Sequence, residues 1–411
     1  MSDKPPEAAG GETTPPDVNG SAEGGPPSFA RVTGVGESVA RALLVPFLAL
    51  VLALAVGAVI IMVTDVDAWR LMGDDPGGAL GDMISGVWVA YRELFRGAFG
   101  SVRAISETLF TATPLILSGL AVAIGFRTGL FNIGARGQMF VGGLFAVWVG
   151  LHVDLPAPLH VSVAIVAAIV GGGIWGGISG LLKARTGAHE VITTIMLNFV
   201  AAFSVLYLLK TPLFQAEGSN LPQSAPILES ARLPPIFGSA YRVNIGLIVA
   251  IVAVFVIQWL LFRSTLGFEF RAAGLSPSAS SYAGMNVAYL YTAVMFISGG
   301  LAGIAGATMT LGLPPYEVTS NFPGTIGFDA IALALLGRSH PYGVLWSGLL
   351  FGALIAGGRT MQAAAGVSVD LVIVMQALII IFIAAPELVR AIFRLKVAEA
   401  EPTQLTKGWG A

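Results

Sequence analysis

The run LLVPFLALVLALAVGAVIIMV, residues 43–63, carries no charge and no hydrogen-bonding side chain. A helix rises about 1.5 Å per residue, so a run of this length reaches across the ~30 Å hydrocarbon layer of a bilayer. It points to an all-α integral membrane protein, and the composition agrees. Of 411 residues, 55% are hydrophobic and 11% charged, against about 25% charged in soluble domains. Fifty-two glycines suit close helix packing in lipid. At roughly 20 residues per span plus connections, the length accommodates about ten spans. There is no cysteine, which excludes disulfides, zinc–thiolate sites and thiol nucleophiles.

Upstream of that run, residues 1–41 are a different material. The first 27 hold six prolines, five glycines and five acids against one lysine. Such a segment buries too little apolar surface to offset its ordering entropy and reads as a disordered cytoplasmic tail. It lacks the basic and short apolar regions of a signal peptide. Downstream, 64–107 is a polar connection with Asp65, Asp67, Asp74, Asp75 and Asp82, expected outside the cytoplasm. Its second half, Leu80–Phe99, has apolar residues close to helical spacing. It reads either as a helix along the membrane surface or as one packed on top of the bundle.

Further spans are expected near 108–126, 138–152, 159–182, 191–211, 243–262, 289–312, 324–337, 342–358 and 369–388. Arg127 and Arg136, Lys183 and Arg185, Arg263 and Arg271, Arg338, and Arg390, Arg394 and Lys396 alternate with basic-poor connections at 313–323 and 359–368. By the positive-inside rule, a transmembrane domain over 42–395 then has both ends in the cytoplasm, with 263–288 as a cytoplasmic loop and 396–411 as a short cytoplasmic tail. The dissenting segment is 64–107, with Arg70, Arg92, Arg96 and Arg103. Ten spans divide into two five-helix halves of opposite topology, the inverted repeat of transporters. A Gly-rich break before Phe131-Asn132-Ile133-Gly134 and a Pro/Gly-rich break before Gly327-Phe328-Asp329 echo that symmetry.

The loop RSTLGFEFRAAGLSPSASSYAGMN, 263–286, contains Ser276-Pro277. Serine at an N-cap followed by proline at the first helical position starts a helix, so a short helix is expected over about Pro277–Ala283. A structured helix between two spans suits a chain that receives a push from a soluble partner.

Small residues at every fourth position, Gly172, Gly176 and Gly180, Gly299 and Gly303, and Gly348 and Gly352, mark close helix contacts. Gly177-Ile178-Ser179-Gly180 matches the GxSG of intramembrane serine proteases, but no histidine is clearly at membrane depth to serve as base. His189-Glu190 lacks the second histidine of a zinc helix. Polar residues in or beside spans are costly and therefore informative. Glu190 and Asn198 share a helix face. Glu190 reads as a helix cap, and Asn198 either lines a path or joins two helices. Asp329 is the leading intramembrane acid, functional or part of a structural pair. No GxxxxGK[ST] occurs, so any ATP is hydrolysed by another chain. Without a stripe of intramembrane charges, a neutral polar solute is favoured over an ion.

Gly119–Gln138, GLAVAIGFRTGLFNIGARGQ, resembles the signature of bacterial ABC importer permeases for nucleosides and simple sugars, within the branched-chain amino acid/ribose permease superfamily. Glu190–Asn198 (EVITTIMLN), Gly267–Ala307 and Gly324–Gly343 (GTIGFDAIALALLGRSHPYG) resemble its further blocks, in order, over about 100–390. The wording is closest to the nucleoside branch. One departure is Arg136, where the family often has an acid. The resemblance implies a type II importer-like fold and alternating access in the bacterial cytoplasmic membrane. It implies an extracytoplasmic substrate-binding lipoprotein, a second permease chain, expected to be a paralogue, and cytoplasmic ABC ATPase subunits that bind ATP and Mg, with no cofactor on this chain. It places Asn132, Gln138, Asn198 and Asp329 near the translocation path. Arg271, Ser276, Pro277, Ala279 and Tyr282 fall at the ATPase contact. The other readings are the same machine for a simple sugar, a stand-alone secondary carrier or channel, and an intramembrane enzyme.

Overall fold

The computed structural model describes residues 31–216, 218–238 and 240–394. The tail expected at 396–411 and residues 1–30 lie outside them. The chain divides into two units, Met1–Leu44 and Val45–Ala411. The first, as described, is the helical stretch 31–44. Every other element belongs to the second. The helices in order are α1 (Arg31–Thr64), α2 (Val66–Leu71), α3 (Pro76–Phe99), α4 (Val102–Arg127), α5 (Ala135–His152), α6 (Ala157–Thr186), α7 (Glu190–Leu208) and α8 (Gly246–Arg263). They continue with α9 (Thr265–Leu275), α10 (Pro277–Tyr282), α11 (Val287–Gly312), α12 (Ile326–Leu336), α13 (Pro341–Ala365), α14 (Val369–Ala384) and α15 (Pro386–Ile392).

Each of the ten expected spans falls on one of these helices. Seven are long and apolar enough to cross a membrane: Pro46–Thr64 of α1, and α4, α6, α7, α8, α11 and α13. The 18-residue α5 and the shorter apolar α12 and α14 complete the set. α1 begins at Arg31, inside the segment expected to be a disordered tail. Extending a helix that already exists needs no new nucleation, so an apolar span carries its helix outward into flanking residues.

The two halves are inverted copies in their packing. α4 and α11 have 26 residues each and lie against one another. They run antiparallel: Ser298 Oγ of α11 donates to the Ala121 carbonyl of α4, while Thr308 and Met309 approach Phe110–Pro114. Each inserts into the opposite half, α4 against α12 and α13, α11 against α5 and α6. α4 is the most deeply buried of the candidate spans, so the centre of the molecule is built by this exchange.

Missing side chains make the exchange close. A methyl group added at Gly172 of α6 would sit 2.3 Å from the Gly299 carbonyl oxygen, and one at Gly299 would sit 2.2 Å from that of Gly172. At Gly348 of α13 it would meet Ile116, and at Gly352 Ala112 and the Thr108 carbonyl. Backbones approach where side chains are absent, and dispersion between them replaces the hydrophobic effect that lipid does not supply.

Candidate functional site

Asn132, Gln138 and Asn198 come together at the start of α5. The loop before α5 is turned by Gly129 at φ 73°, a left-handed geometry that glycine adopts without penalty. It delivers the Asn132 side chain into the protein, where it is fully buried. Its Nδ2 donates to Gln138 Oε1 at 2.8 Å and to Ser298 Oγ at 2.7 Å. Its Oδ1 accepts from Gly134 N and Gln138 Nε2 at 2.9 and 3.0 Å. Asn198 of α7 donates to the Ile133 carbonyl at 2.9 Å and accepts from Gly137 N at 2.7 Å. One cluster therefore ties the α4–α5 loop to α7 and α11, and its amides are engaged within the protein.

Asp329 does not join it. It lies in the first turn of α12 and accepts from Thr325 Oγ1 at 2.9 Å. The neighbouring Gly327 lets the Arg136 backbone of α5 approach closely, and the Arg136 guanidinium lies 5.7 Å from the Phe140 ring centre and 5.9 Å from that of Phe328. Glu190, in the first turn of α7, accepts from Lys183 Nζ at 2.8 Å and so joins α6 to α7 by an ion pair. Ser179 donates to the carbonyl of Gly176 in its own helix at 2.7 Å. No group of three or more metal-ligating side chains occurs among the described residues.

A cavity of about 90 Å³ lies between α4, α11, the start of α8, α12 and α13, lined by Phe110, Thr111, Thr113, Asn244, Thr308 and Arg359 among others. Pro114, inside α4, lacks the N–H that would bond the Phe110 carbonyl, so an acceptor is freed beside the cavity. Thr111 Oγ1 is buried without a partner. Such a group costs about 1–3 kcal/mol if nothing satisfies it. Arg359 reaches the cavity from α13, and Arg242, paired with Glu107 at 3.0 Å, lies 4.9 Å from the Phe110 ring centre. A hydroxyl, a free carbonyl, a cation and an aromatic face suit a neutral solute with hydroxyl groups and a flat ring. At ~30 Å³ per water, the space holds about three waters. Sequence reading placed Arg359 in a loop end and passed over Thr111. A threonine inside a helix commonly bonds a carbonyl of the preceding turn, and only the packing shows that this one does not.

At the other end of α4, α9 and α10 form an open groove of about 530 Å³ lined by Phe268, Arg271, Leu275, Ser276, Ala279 and Met285 among others. Ser276 caps α10, its Oγ accepting from Ala279 N at 3.3 Å. Tyr282 is 97% exposed and Leu275 78%. Gly274 of α9 packs on the backbone of Arg127 and Thr128. Arg127 donates to the Ser339 and Arg338 carbonyls at 2.9 and 3.3 Å, and it shares the Phe262 ring with Arg271. Burial and the nearby Arg127 cation hold the His340 ring below its ordinary pKa. The groove is thus bolted to the end of α4 and to the α12–α13 turn.

Comparison with known proteins agrees with this architecture. Residues 104–384 match the model of the family described as branched-chain amino acid transport system / permease component. The guanosine ABC transporter permease protein NupP of Bacillus subtilis is 41% identical over 85% of this chain and 94% of its own. The glucose ABC transporter permease protein TsgB13 of Haloferax volcanii is 36% identical over 83% of this chain and 87% of its own. The guanosine ABC transporter permease protein NupQ of Bacillus subtilis is 27% identical over 60% and 79%. No solved structure matches. With its inverted helical halves and a match over more than half its length, the chain belongs to the branched-chain amino acid transport system permease family.

Proposed function

We propose that this chain is the permease subunit of an ATP-driven importer of nucleosides in the bacterial cytoplasmic membrane. The likeness to the guanosine permease, which runs through most of both chains, carries the reading. A cavity with hydroxyl, amide and guanidinium groups beside an aromatic ring supports it. An extracytoplasmic binding lipoprotein delivers the solute, and a second permease chain completes the path. Two such permeases of Bacillus subtilis bear the guanosine name, which favours a paralogue as partner.

ATP and Mg belong to cytoplasmic ATPase subunits that seat on the α9–α10 groove, with Arg271, Ser276, Pro277, Ala279 and Tyr282 at the contact. Closure of the ATPases pushes α9 against Arg127 and moves α4, whose far end at Phe110–Pro114 borders the chamber. When α4, α5 and α11 part, the amides of Asn132, Gln138 and Asn198 exchange their mutual bonds for solute. Asp329 borders the same route from α12. The match to a glucose permease favours a simple sugar as second reading. Competition separates the two: unlabelled nucleosides are expected to displace labelled guanosine from uptake by the assembled transporter while glucose does not. Uptake of labelled glucose, with no competition from nucleosides, reverses the assignment.

A further inference from the structure

α3 was expected to lie outside the bilayer, along its surface or on top of the bundle. Its contacts are with spanning helices. Tyr91 Oη donates to the Leu54 carbonyl of α1, near the centre of Pro46–Thr64. Methyl groups at Gly57 of α1 would meet that same Tyr91 and Met375 of α14. Toward the start of α3, Gly86 neighbours Asp65, just past the end of α1. α3 and α1 are therefore antiparallel neighbours.

Along α13 the register is constant and parallel. Gly97 approaches Thr360 and Gly357, and Gly357 approaches Leu94 and Ala98. Ala90, Leu94, Leu354 and Met361 belong to one apolar cluster with Ala49, Ala53 and Met375. α3 has 24 residues, so at about 1.5 Å per residue it is some 36 Å long, enough to cross a bilayer.

Its outer face is mostly apolar, with the exposed Arg92 at its edge. Leu80, Ile84, Trp88, Phe95 and Phe99 are exposed at 52%, 53%, 71%, 54% and 58%, and their spacing places them on one side of the helix. Its charges flank an uncharged middle: Asp82 on one side of Met83–Tyr91, and Arg92, Glu93 and Arg96 on the other. Arg96 pairs with Glu93 at 3.5 Å, and long arginine stems reach the headgroup level from such positions. Those charges kept α3 from resembling a span in sequence.

We propose that the outer face of α3 is covered by lipid acyl chains and that α3 is an eleventh membrane span. The depth of Tyr91 beside the centre of α1 identifies the occupant. A consequence follows for sidedness. The connection 65–75, with Asp65, Asp67, Asp74 and Asp75, emerges on the same face as α9–α10. The α3–α4 turn emerges on the opposite face, with the α13–α14 turn. This differs from an external connection over the whole of 64–107, and an odd number of spans differs from a domain with both ends in the cytoplasm.

The chain has no cysteine, so single cysteines report without background. Gly73→Cys enters open space, and Asp74→Cys is a second reporter should the first insert poorly. Ser278→Cys marks the α10 face and Ala364→Cys the opposite one. In sealed membrane vesicles of known orientation, a membrane-impermeant maleimide should label position 73 or 74 from the side that labels Ser278→Cys, and Val102→Cys from the side that labels Ala364→Cys. A spin label at Trp88→Cys should collide with oxygen in preference to a water-soluble nickel chelate. Labelling of the 65–75 connection from the Ala364 side, or preferential nickel access at position 88, overturns the proposal.

Discussion

Asn132 and Thr111 are both polar residues inside a membrane protein, and the structure gives them opposite characters. Asn132 spends every hydrogen-bonding group on the protein. Replacing it by leucine strands Gln138 and the Gly134 N–H, at about 1–3 kcal/mol for each buried group left unpaired. Asn132→Leu should therefore lower the melting temperature of the detergent-solubilised protein. Unchanged stability with lost uptake would instead make its role one of solute contact alone. Thr111 is the reverse case, since its hydroxyl is unpartnered. Thr111→Val should leave the melting temperature level or raised while the KM of uptake rises about tenfold, the equivalent of ~1.4 kcal/mol. A melting temperature that falls with KM unchanged contradicts that assignment. Sequence could flag Asn132 because a polar side chain in a span is costly. Its main partner, Ser298, lies on another helix far along the chain, and no local pattern announces such a bond. Thr111 carried no flag, for its signal is the absence of the usual bond.

At the scale of single elements, helix starts and glycine faces were the legible features. Ser276-Pro277 begins α10 where its residue types require. α9 went unread because Thr265–Leu275 mixes Gly, Glu and Arg with apolar residues. It forms because Ser264 caps it at Gly267 N and because Phe270 and Ala273 bury against the bundle. Ala279→Pro removes the N–H that binds Ser276 Oγ. It should uncouple uptake from ATP hydrolysis while the protein still inserts, which paired assays of transport and phosphate release on the reconstituted complex measure. Normal coupling in that variant dissociates α10 from energy transfer. The glycine faces allow a sharper contrast. At Gly299 an added methyl group meets the Gly172 carbonyl at 2.2 Å, whereas at Gly177 its nearest neighbour is Phe296 at 3.6 Å. Gly299→Ala should cost about 1–3 kcal/mol through overpacking and Gly177→Ala less than ~1 kcal/mol, read as melting temperatures. Equal effects would mean that α6 and α11 are not held by backbone approach.

For the whole molecule, the membrane class followed from composition and apolar runs, while the inverted halves show in the antiparallel exchange of α4 and α11. What the sequence showed only faintly is how the halves interlock. α4 and α11 share length and direction-reversed packing, which no local pattern announces. α3 misled because Asp82, Arg92, Glu93 and Arg96 lower its hydropathy, while its packing along α13 shows only in the fold. The central claim is that this helical body moves a nucleoside only when an ATPase drives it through α9–α10. Labelled guanosine uptake into proteoliposomes bearing the complete complex tests it most directly. Accumulation that requires ATP and disappears when the ATPase lacks its phosphate-binding lysine is the predicted result, and equal uptake by this chain alone without ATP would contradict it.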